Sequence, residues 1–323
     1  MNPEKFIIFS DLHVDIMHDS ISRVEAVIKA AKAENAGCII NLGDILYPPN
    51  DFLIENGVQP QKDRWFYCER DEEKYKLREL FNNCGIPVYH VIGNHDSDAC
   101  PKSVFVDFMG MKHNYYSFDR GDYHFVALDT SYIRNGSNDI PYQLYGEDKQ
   151  PGSAYPCVPD EQLEWMKKDI LASDKPTIIL SHHPISRNEG IKNNDQVRRI
   201  LNEINAGKKR IILCINGHAH LDGLMMLDGI PCLDVNSITC DYMGWEYRYK
   251  NFDDYIETNY PYISSVAPYK EAVFASITLA QDKIDVKGYS SEYIGPTPYE
   301  LGLPKNERFY ECTATIVDRE IYY

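Results

Sequence analysis

Five short apolar runs in this chain lead directly into carboxylate, imidazole or amide side chains, and this recurrence constrains the fold more than any other feature. Phe6-Ile7-Ile8-Phe9-Ser10 leads into Asp11-Leu12-His13, Cys38-Ile39-Ile40-Asn41-Leu42 into Gly43-Asp44, and Tyr89-His90-Val91-Ile92 into Gly93-Asn94-His95-Asp96. Thr177-Ile178-Ile179-Leu180-Ser181 leads into His182-His183, and Ile211-Ile212-Leu213-Cys214-Ile215 into Asn216-Gly217-His218-Ala219-His220. Laid side by side in one sheet, such strands would present all five polar clusters at one edge. Ligands of open α/β sheets bind at the carboxyl ends of strands. Burying five sets of polar groups unpaired would be costly, so the clusters read as parts of one site.

Between these runs lie amphipathic stretches of helical length, Ser20–Ala33, Trp65–Phe81, Asp160–Leu171 and Asn194–Asn205. Tyr123–Leu128 reads as a further strand. The alternation predicts an α/β layered fold, with central β-sheets flanked by helices. Beyond Leu221 the texture changes to strand candidates punctuated by Gly and Asp, namely Leu224–Leu227, Pro231–Val235, Ala272–Leu279 and Lys283–Val286. The C-terminal third is therefore expected to be sheet-rich. No linker, repeat or low-complexity tract interrupts the chain, so residues 1–323 are expected to form a single domain, with the polar motifs inside 1–220. Tyr47–Asp63 and Ser131–Pro159, rich in Pro, Gly and Asn, read as long loops on the rim of a site.

The net charge of −16, from 33 basic and 49 acidic residues, opposes binding to long nucleic acid, which relies on many Lys and Arg contacts to phosphate. A small phosphate compound remains an acceptable partner where cations reverse the local field. No apolar run approaches the ~20 residues that a bilayer span needs, so no membrane association is expected. Nine scattered cysteines without a C-x-x-C pair read as reduced, buried thiols. The opening MNPEKFIIFSDLH leaves no room for a charged segment followed by a long apolar one, and a cytoplasmic location is expected.

Oxygen and imidazole donors without thiolates suit divalent Mn, Fe or Zn. In Asp11-x-His13 and His218-x-His220 the paired residues lie two apart, which in extended backbone points them to the same side. Gly43, Gly93 and Gly217 would let the backbone turn tightly beneath the ions. Each cluster alone has a plainer reading: His182 and His183 could satisfy backbone carbonyls, Asp11 could cap a helix, and Asp44 could be a turn residue. Five such coincidences at five strand ends favour the metal reading.

In this order D-x-H, GD, GNHD, HH and GHxH resemble the calcineurin-like metallophosphoesterase superfamily, over about two thirds of the chain, from Asp11 to His220. The resemblance implies a phosphoric ester hydrolase with two divalent cations. It implies that Asp11, His13 and His220 hold one metal, that Asn94, His182 and His218 hold the other, and that Asp44 bridges them. It implies that His183 is not a ligand, and that His95 is catalytic, close to the ions, and oriented by Asp96. GD is followed by Ile45-Leu46-Tyr47, an arrangement similar to that of purple acid phosphatases, whose tyrosine binds ferric iron. Because His13 already supplies the donor, Tyr47 is expected behind the ligands or in the pocket wall.

The expected chemistry is attack on phosphorus by a hydroxide bridging the two cations, with His95 assisting the leaving oxygen. The pairing of GNHD with D-x-H is closer to the cyclic nucleotide and glycerophosphodiester branch, which leans the substrate towards a diester. A broad monoesterase and an inactive metal-binding scaffold are the rivals. Arg187 and Asn188, just beyond the histidine pair, are placed to contact substrate. The segment of about 240–270 carries nine aromatic rings from Tyr242 to Tyr269, which either pack a surface excursion or stack on an organic group of the substrate. Asp15, Asp98 and Asp222 either hold ligating imidazoles or are turn carboxylates. His18, His90, His113 and His124 are expected to be structural or on the surface.

Overall fold

A strand that is apolar on both faces needs cover on both, and the computed structural model shows how the motif strands obtain it. It describes residues 2–47, 71–135, 138–141, 156–187 and 189–323. One six-stranded sheet contains the parallel strands β1 (Glu4–Phe9), β2 (Cys38–Asn41) and β3 (Val88–His90). Beyond β1 it continues through β15 (Phe274–Ala280), β16 (Lys283–Tyr289) and β17 (Arg319–Tyr322), all antiparallel, in the spatial order β17-β16-β15-β1-β2-β3. The second sheet contains β4 (Tyr116–Arg120), β5 (Tyr123–Leu128), β9 (Thr177–Ser181), β10 (Ile211–Asn216), β11 (Gly223–Leu227) and β12 (Ile230–Asp234). Its order is β11-β12-β10-β9-β5-β4, with β5, β9, β10 and β12 parallel. Smaller sheets join β6 (Tyr132–Asn135) with β7 (Asn138–Pro141) and β8 (Pro156–Cys157), and β13 (Cys240–Tyr242) with β14 (Val266–Pro268).

The five motif strands therefore do not lie side by side, as one sheet would require; β1, β2 and β3 belong to one sheet and β9 and β10 to the other. Period-two alternation explains the division. Phe6 and Ile8 of β1 meet Phe125, Ile178, Leu180 and Ile215 of the opposite sheet in an inter-sheet core. The intervening Ile7 and Phe9 turn outward onto Val24 and Val27 of α1 (Ser20–Ala33) and Leu77 and Phe81 of α2 (Asp71–Asn83). Short helices α3 (Asn94–Ala99) and α4 (Lys102–Met109) extend that layer. On the far side, Ile179 and Cys214 pack against Leu163 and Met166 of α5 (Asp160–Ala172) and Val197 and Leu201 of α6 (Asn194–Asn205). The layers run helix, sheet, sheet, helix, and the C-terminal third supplies β15 to β17 together with α7 (Asp254–Asn259).

Ser20–Ala33 and Asn194–Asn205 form helices with the expected bounds, whereas residues 65–70 of the expected second helix lie outside the described residues, as do 48–63 and 142–155 of the two expected loops. Among the described residues no helix is long and apolar enough to cross a membrane.

Arg23 ties α1 to the C-terminal part of the chain. Its buried guanidinium donates to the carbonyls of Ile238 at 3.0 Å, Glu271 at 3.0 Å and Tyr269 at 2.6 Å, and pairs with Asp19 at 2.8 Å. Arg23→Met leaves these acceptors without their donor and is expected to cost about 2–4 kcal/mol in urea denaturation. A loss under about 1 kcal/mol, the ordinary net value of a single hydrogen bond, would show that the latch contributes little.

Candidate metal centre

Three of the five motif strands, β1, β2 and β10, stop at a sharp reversal. Asp11, His13, Asp44, His218 and His220 have φ of 57°, 48°, 53°, 65° and 51°. The D-x-H and H-x-H pairs are therefore not extended, which corrects the reason their spacing suggested for convergence. Left-handed backbone costs a non-glycine residue about 1–2 kcal/mol, and a dense set of hydrogen bonds holds it here. Asp11 N–H donates to Gly43 O and His13 N–H to Asp44 O, both at 3.0 Å. The carbonyl of Asp11 accepts from Ser237 Oγ at 2.9 Å and Thr239 Oγ1 at 3.0 Å. The His218 N–H donates to Asp11 Oδ2 at 3.0 Å, and the His95 N–H to Asp44 Oδ1 at 2.9 Å.

The side chains converge in two overlapping groups. In one, His13 Nε2 lies 3.0 Å from His220 Nε2, and Asp11 Oδ1 lies 3.8 Å and 3.4 Å from them. In the other, His182 Nε2 lies 3.1 Å from Asp44 Oδ2, 3.1 Å from Asn94 Oδ1 and 3.3 Å from His218 Nδ1. Asp11 Oδ1, 4.0 Å from His182, lies between the two groups. It is a buried carboxylate oxygen with no hydrogen-bond partner among the described residues. Asp11, His13 and His220, and separately Asp11, Asp44 and His182, satisfy the geometry of a metal site.

The electrostatics fit cations. Burial pushes the His13 and His218 imidazoles down to about 3, so both are neutral donors. Burial also opposes charge on His182, but Asp44 and Asp11 outweigh it and lift that ring to about 9. Asp11 likewise lifts His220 well above its usual range despite burial. Although burial favours neutral carboxyls, the facing imidazoles hold Asp11 and Asp44 below their ordinary values. Protons held between buried carboxylates mark positions where positive charge is favoured, and divalent cations supply it. The hydrogen bonds agree: His182 Nδ1 faces Leu42 O at 3.0 Å and His220 Nδ1 faces Cys240 O at 2.7 Å, so each keeps a proton on Nδ1 and it is the Nε2 proton that a cation would replace.

Asp96 has a different task from the one expected. Its buried carboxylate accepts the N–H groups of Asp44 at 2.9 Å, Leu46 at 3.0 Å and Gly93 at 2.9 Å. It binds the GD loop to the GNHD loop and is not hydrogen-bonded to the His95 ring. That ring is half-buried, 4.4 Å from Tyr47 and 5.5 Å from His13 between centroids. Tyr47 packs outward on Tyr262 at 5.2 Å, which in turn packs on the exposed Trp245 at 5.5 Å. Within the aromatic segment, Tyr262 and Tyr269 are core residues, while Tyr242, Tyr249 and Tyr255 are exposed.

Arg187, expected to contact substrate, is instead buried in a bidentate pair with Asp234 at 2.8 and 2.9 Å, under the ring of Phe309. Its guanidinium is taken up by a carboxylate inside the fold. Asn188 lies outside the described residues. Asp15 is buried, accepts the Tyr47 N–H at 3.2 Å and pairs with Lys74 at 3.3 Å, whereas Asp222 holds Arg319 at the distant β17. Neither carboxylate holds a donor imidazole. His18, His90, His113 and His124 stay out of the donor groups. Sequence reasoning missed Thr130, which bonds His183, and Ser237 and Thr239, which support Asp11. The signal was available, since β5 and β12 also run into polar residues, Asp129-Thr130 and Asp234-Val235-Asn236-Ser237.

This fold and these donor groups define a metal-dependent phosphoric ester hydrolase. The calcineurin-like phosphoesterase profile matches residues 4–222, and the chain belongs to that family. Among solved structures it is similar to a dimetal phosphatase from Danio rerio, with a TM-score of 0.61 and 15% identity over 91% of this chain and 99% of that one. It is also similar to a putative 5'-nucleotidase from Staphylococcus aureus in complex with alpha-ketoglutarate, with a TM-score of 0.48 and 12% identity over 91% of this chain and 54% of that one. No curated protein matches the sequence.

Two motif glycines are there for space. Gly93 has φ −92°, yet a Cβ on it would lie 2.0 Å from Asp44 Oδ1 and 2.4 Å from Asp44 N. At Gly217 a Cβ would meet Ser10 Oγ at 1.8 Å. Gly93→Ala is therefore expected to displace Asp44 and lose bound metal in elemental analysis of purified protein. Gly207→Ala, where a Cβ meets nothing within 4 Å, serves as the control. A full metal complement in Gly93→Ala would contradict the packing argument.

Proposed function

We propose that the chain hydrolyses a small phosphate ester, with a preference for a diester, through a hydroxide shared by two divalent cations. The observation that carries this reading is the convergence of two donor groups, each drawn from both sheets, about Asp11 Oδ1, a buried oxygen with no hydrogen-bond partner among the described residues. Asp11, His13 and His220 would hold one cation, Asn94, His182 and His218 the other, and Asp44 would bridge them. Cations of Mn, Fe or Zn held there would supply an acidic water as nucleophile near neutral pH and a positive field for the phosphoryl oxygens.

The remaining steps belong to side chains. His95 would donate a hydrogen bond or proton to the leaving oxygen, because its half-buried ring stands beside the donors while its backbone N–H fixes Asp44. Asp96 keeps the two loops in register for this. Tyr47 and the exposed Trp245, packed on either side of the buried Tyr262, would form a wall for an organic group on the substrate. The diester preference rests on the D-x-H and GNHD motifs. The net charge of −16 supports a small substrate over long nucleic acid. Eight buried thiols among the described residues support a reducing, cytoplasmic setting. Pairing of β1 with β15 supports one domain from residue 1 to 323.

Protein loaded separately with Mn, Zn and Fe, assayed on bis-p-nitrophenyl phosphate beside p-nitrophenyl phosphate, tests the function. The diester is expected to be the better substrate; the reverse order makes the chain a monoesterase, and turnover of no ester makes it a scaffold. Asp44→Asn is expected to lose most of both metals, and two retained equivalents would remove its bridging role. His95→Asn is expected to keep its metals while kcat falls by about 10²–10⁴-fold with little change in KM. Its deficit is expected to be smaller for p-nitrophenol esters, which need less help in leaving, than for alkyl esters.

A further inference from the structure

His183 is buried beside the donors but faces an unusual partner. Its Nδ1 lies 2.7 Å from Thr130 Oγ1, and the same oxygen accepts the backbone N–H of His183 at 3.1 Å. Thr130 is itself fully buried, and Nδ1 is the one acceptor its hydroxyl finds among the described residues. A buried hydroxyl without an acceptor is costly, so the hydroxyl donates to Nδ1 and the ring proton resides on Nε2. With a cation in place of the Nε2 proton, His182 and His220 take the opposite tautomer, because their Nδ1 atoms face carbonyl oxygens that only accept. Two neighbours in one motif thus present opposite groups, a lone pair from His182 and an N–H from His183.

The His183 ring lies 4.2 Å from that of His218 and 5.0 Å from that of His182, and one nitrogen of each ring falls within a common 4.8 Å. Position alone would make His183 a third imidazole ligand. The tautomer excludes this, since Nδ1 is engaged and Nε2 carries the proton. Nε2 has no protein hydrogen bond among the described residues, and it belongs to a ring that flanks the His182 and His218 donors. We propose that His183, set by Thr130, donates its Nε2–H to a non-bridging phosphoryl oxygen of the bound ester. This inference rests on the hydrolase reading. It adds a neutral donor on the side of the His182 and His218 cation.

Long-range ¹H–¹⁵N spectra of the metal-free protein test the tautomer, and calorimetry with inorganic phosphate on zinc-loaded protein tests the contact. His183 is expected to be protonated at Nε2, and Thr130→Val is expected to release that preference and weaken phosphate binding. His183→Leu is expected to keep two zinc equivalents and bind phosphate about 10- to 100-fold more weakly, the range for a hydrogen bond to a charged group. His183→Gln, whose amide N–H can take the place of Nε2–H, is expected to stay within about 3-fold of the parent. Loss of a zinc equivalent in His183→Leu, unchanged phosphate affinity, or a parent His183 protonated at Nδ1 would each overturn the proposal. A parent that binds zinc and phosphate but cleaves no ester would sink the hydrolase reading while leaving this comparison intact.

Discussion

The site depends on a backbone that turns the wrong way at five of the seven residues carrying donors. A strand directs alternate side chains to opposite faces, and a strand simply prolonged would carry Asp11 and His13 past the neighbouring sheet. Left-handed φ at Asp11, His13, Asp44, His218 and His220 reverses the chain instead and brings side chains from two sheets into one small volume. Such strain persists where the surroundings over-determine it. Here the carbonyl of Asp11 has two hydroxyl donors, Asp96 gathers three N–H groups, and the carboxylates of Asp11 and Asp44 each accept a backbone N–H from another motif.

The same hydrogen bonds divide the labour among residues of similar chemistry. Asp96 is as acidic by nature as Asp44, but burial and the Asp44 charge raise it to about 7 while its oxygens serve backbone groups. Asp44 turns one oxygen to the His95 N–H and the other to His182. Among the histidines, a carbonyl or a hydroxyl against Nδ1 decides which ring offers a lone pair and which a proton. Residues outside the motifs, Leu42, Thr130 and Cys240, thereby set the chemistry of residues inside them.

Much of this was legible in the sequence. The continuous apolar runs correctly signalled strands covered on both faces, and the polar residues at their ends marked where donors gather. The division into two sheets was not legible, because a run such as Phe6–Phe9 has the same composition whether its second cover is a helix or another sheet. The reversal at the donors was also hidden: aspartate and histidine adopt positive φ more readily than most residues but do so in a minority of cases, and only Gly43, at φ 106°, is a glycine among the residues that turn this way at the donors. Arg187 shows the converse limit. Its place beside a motif suggested substrate, but its partner Asp234 lies in another strand end, and no local pattern links them.

The pairing of β1 has a consequence for how the chain is made. β1 lies between β2, its close neighbour in sequence, and β15, which begins only at Phe274. A ribosome delivers residues in order, at roughly 5–20 per second. For most of synthesis, therefore, one hydrogen-bonding edge of a strand with the apolar run Phe6–Phe9 stays open. An open edge of that kind invites pairing with other chains, so the nascent protein is most exposed to aggregation just before its last strands emerge, and chaperone cover matters most then. β1 is thus secured on its second edge only long after it has been made.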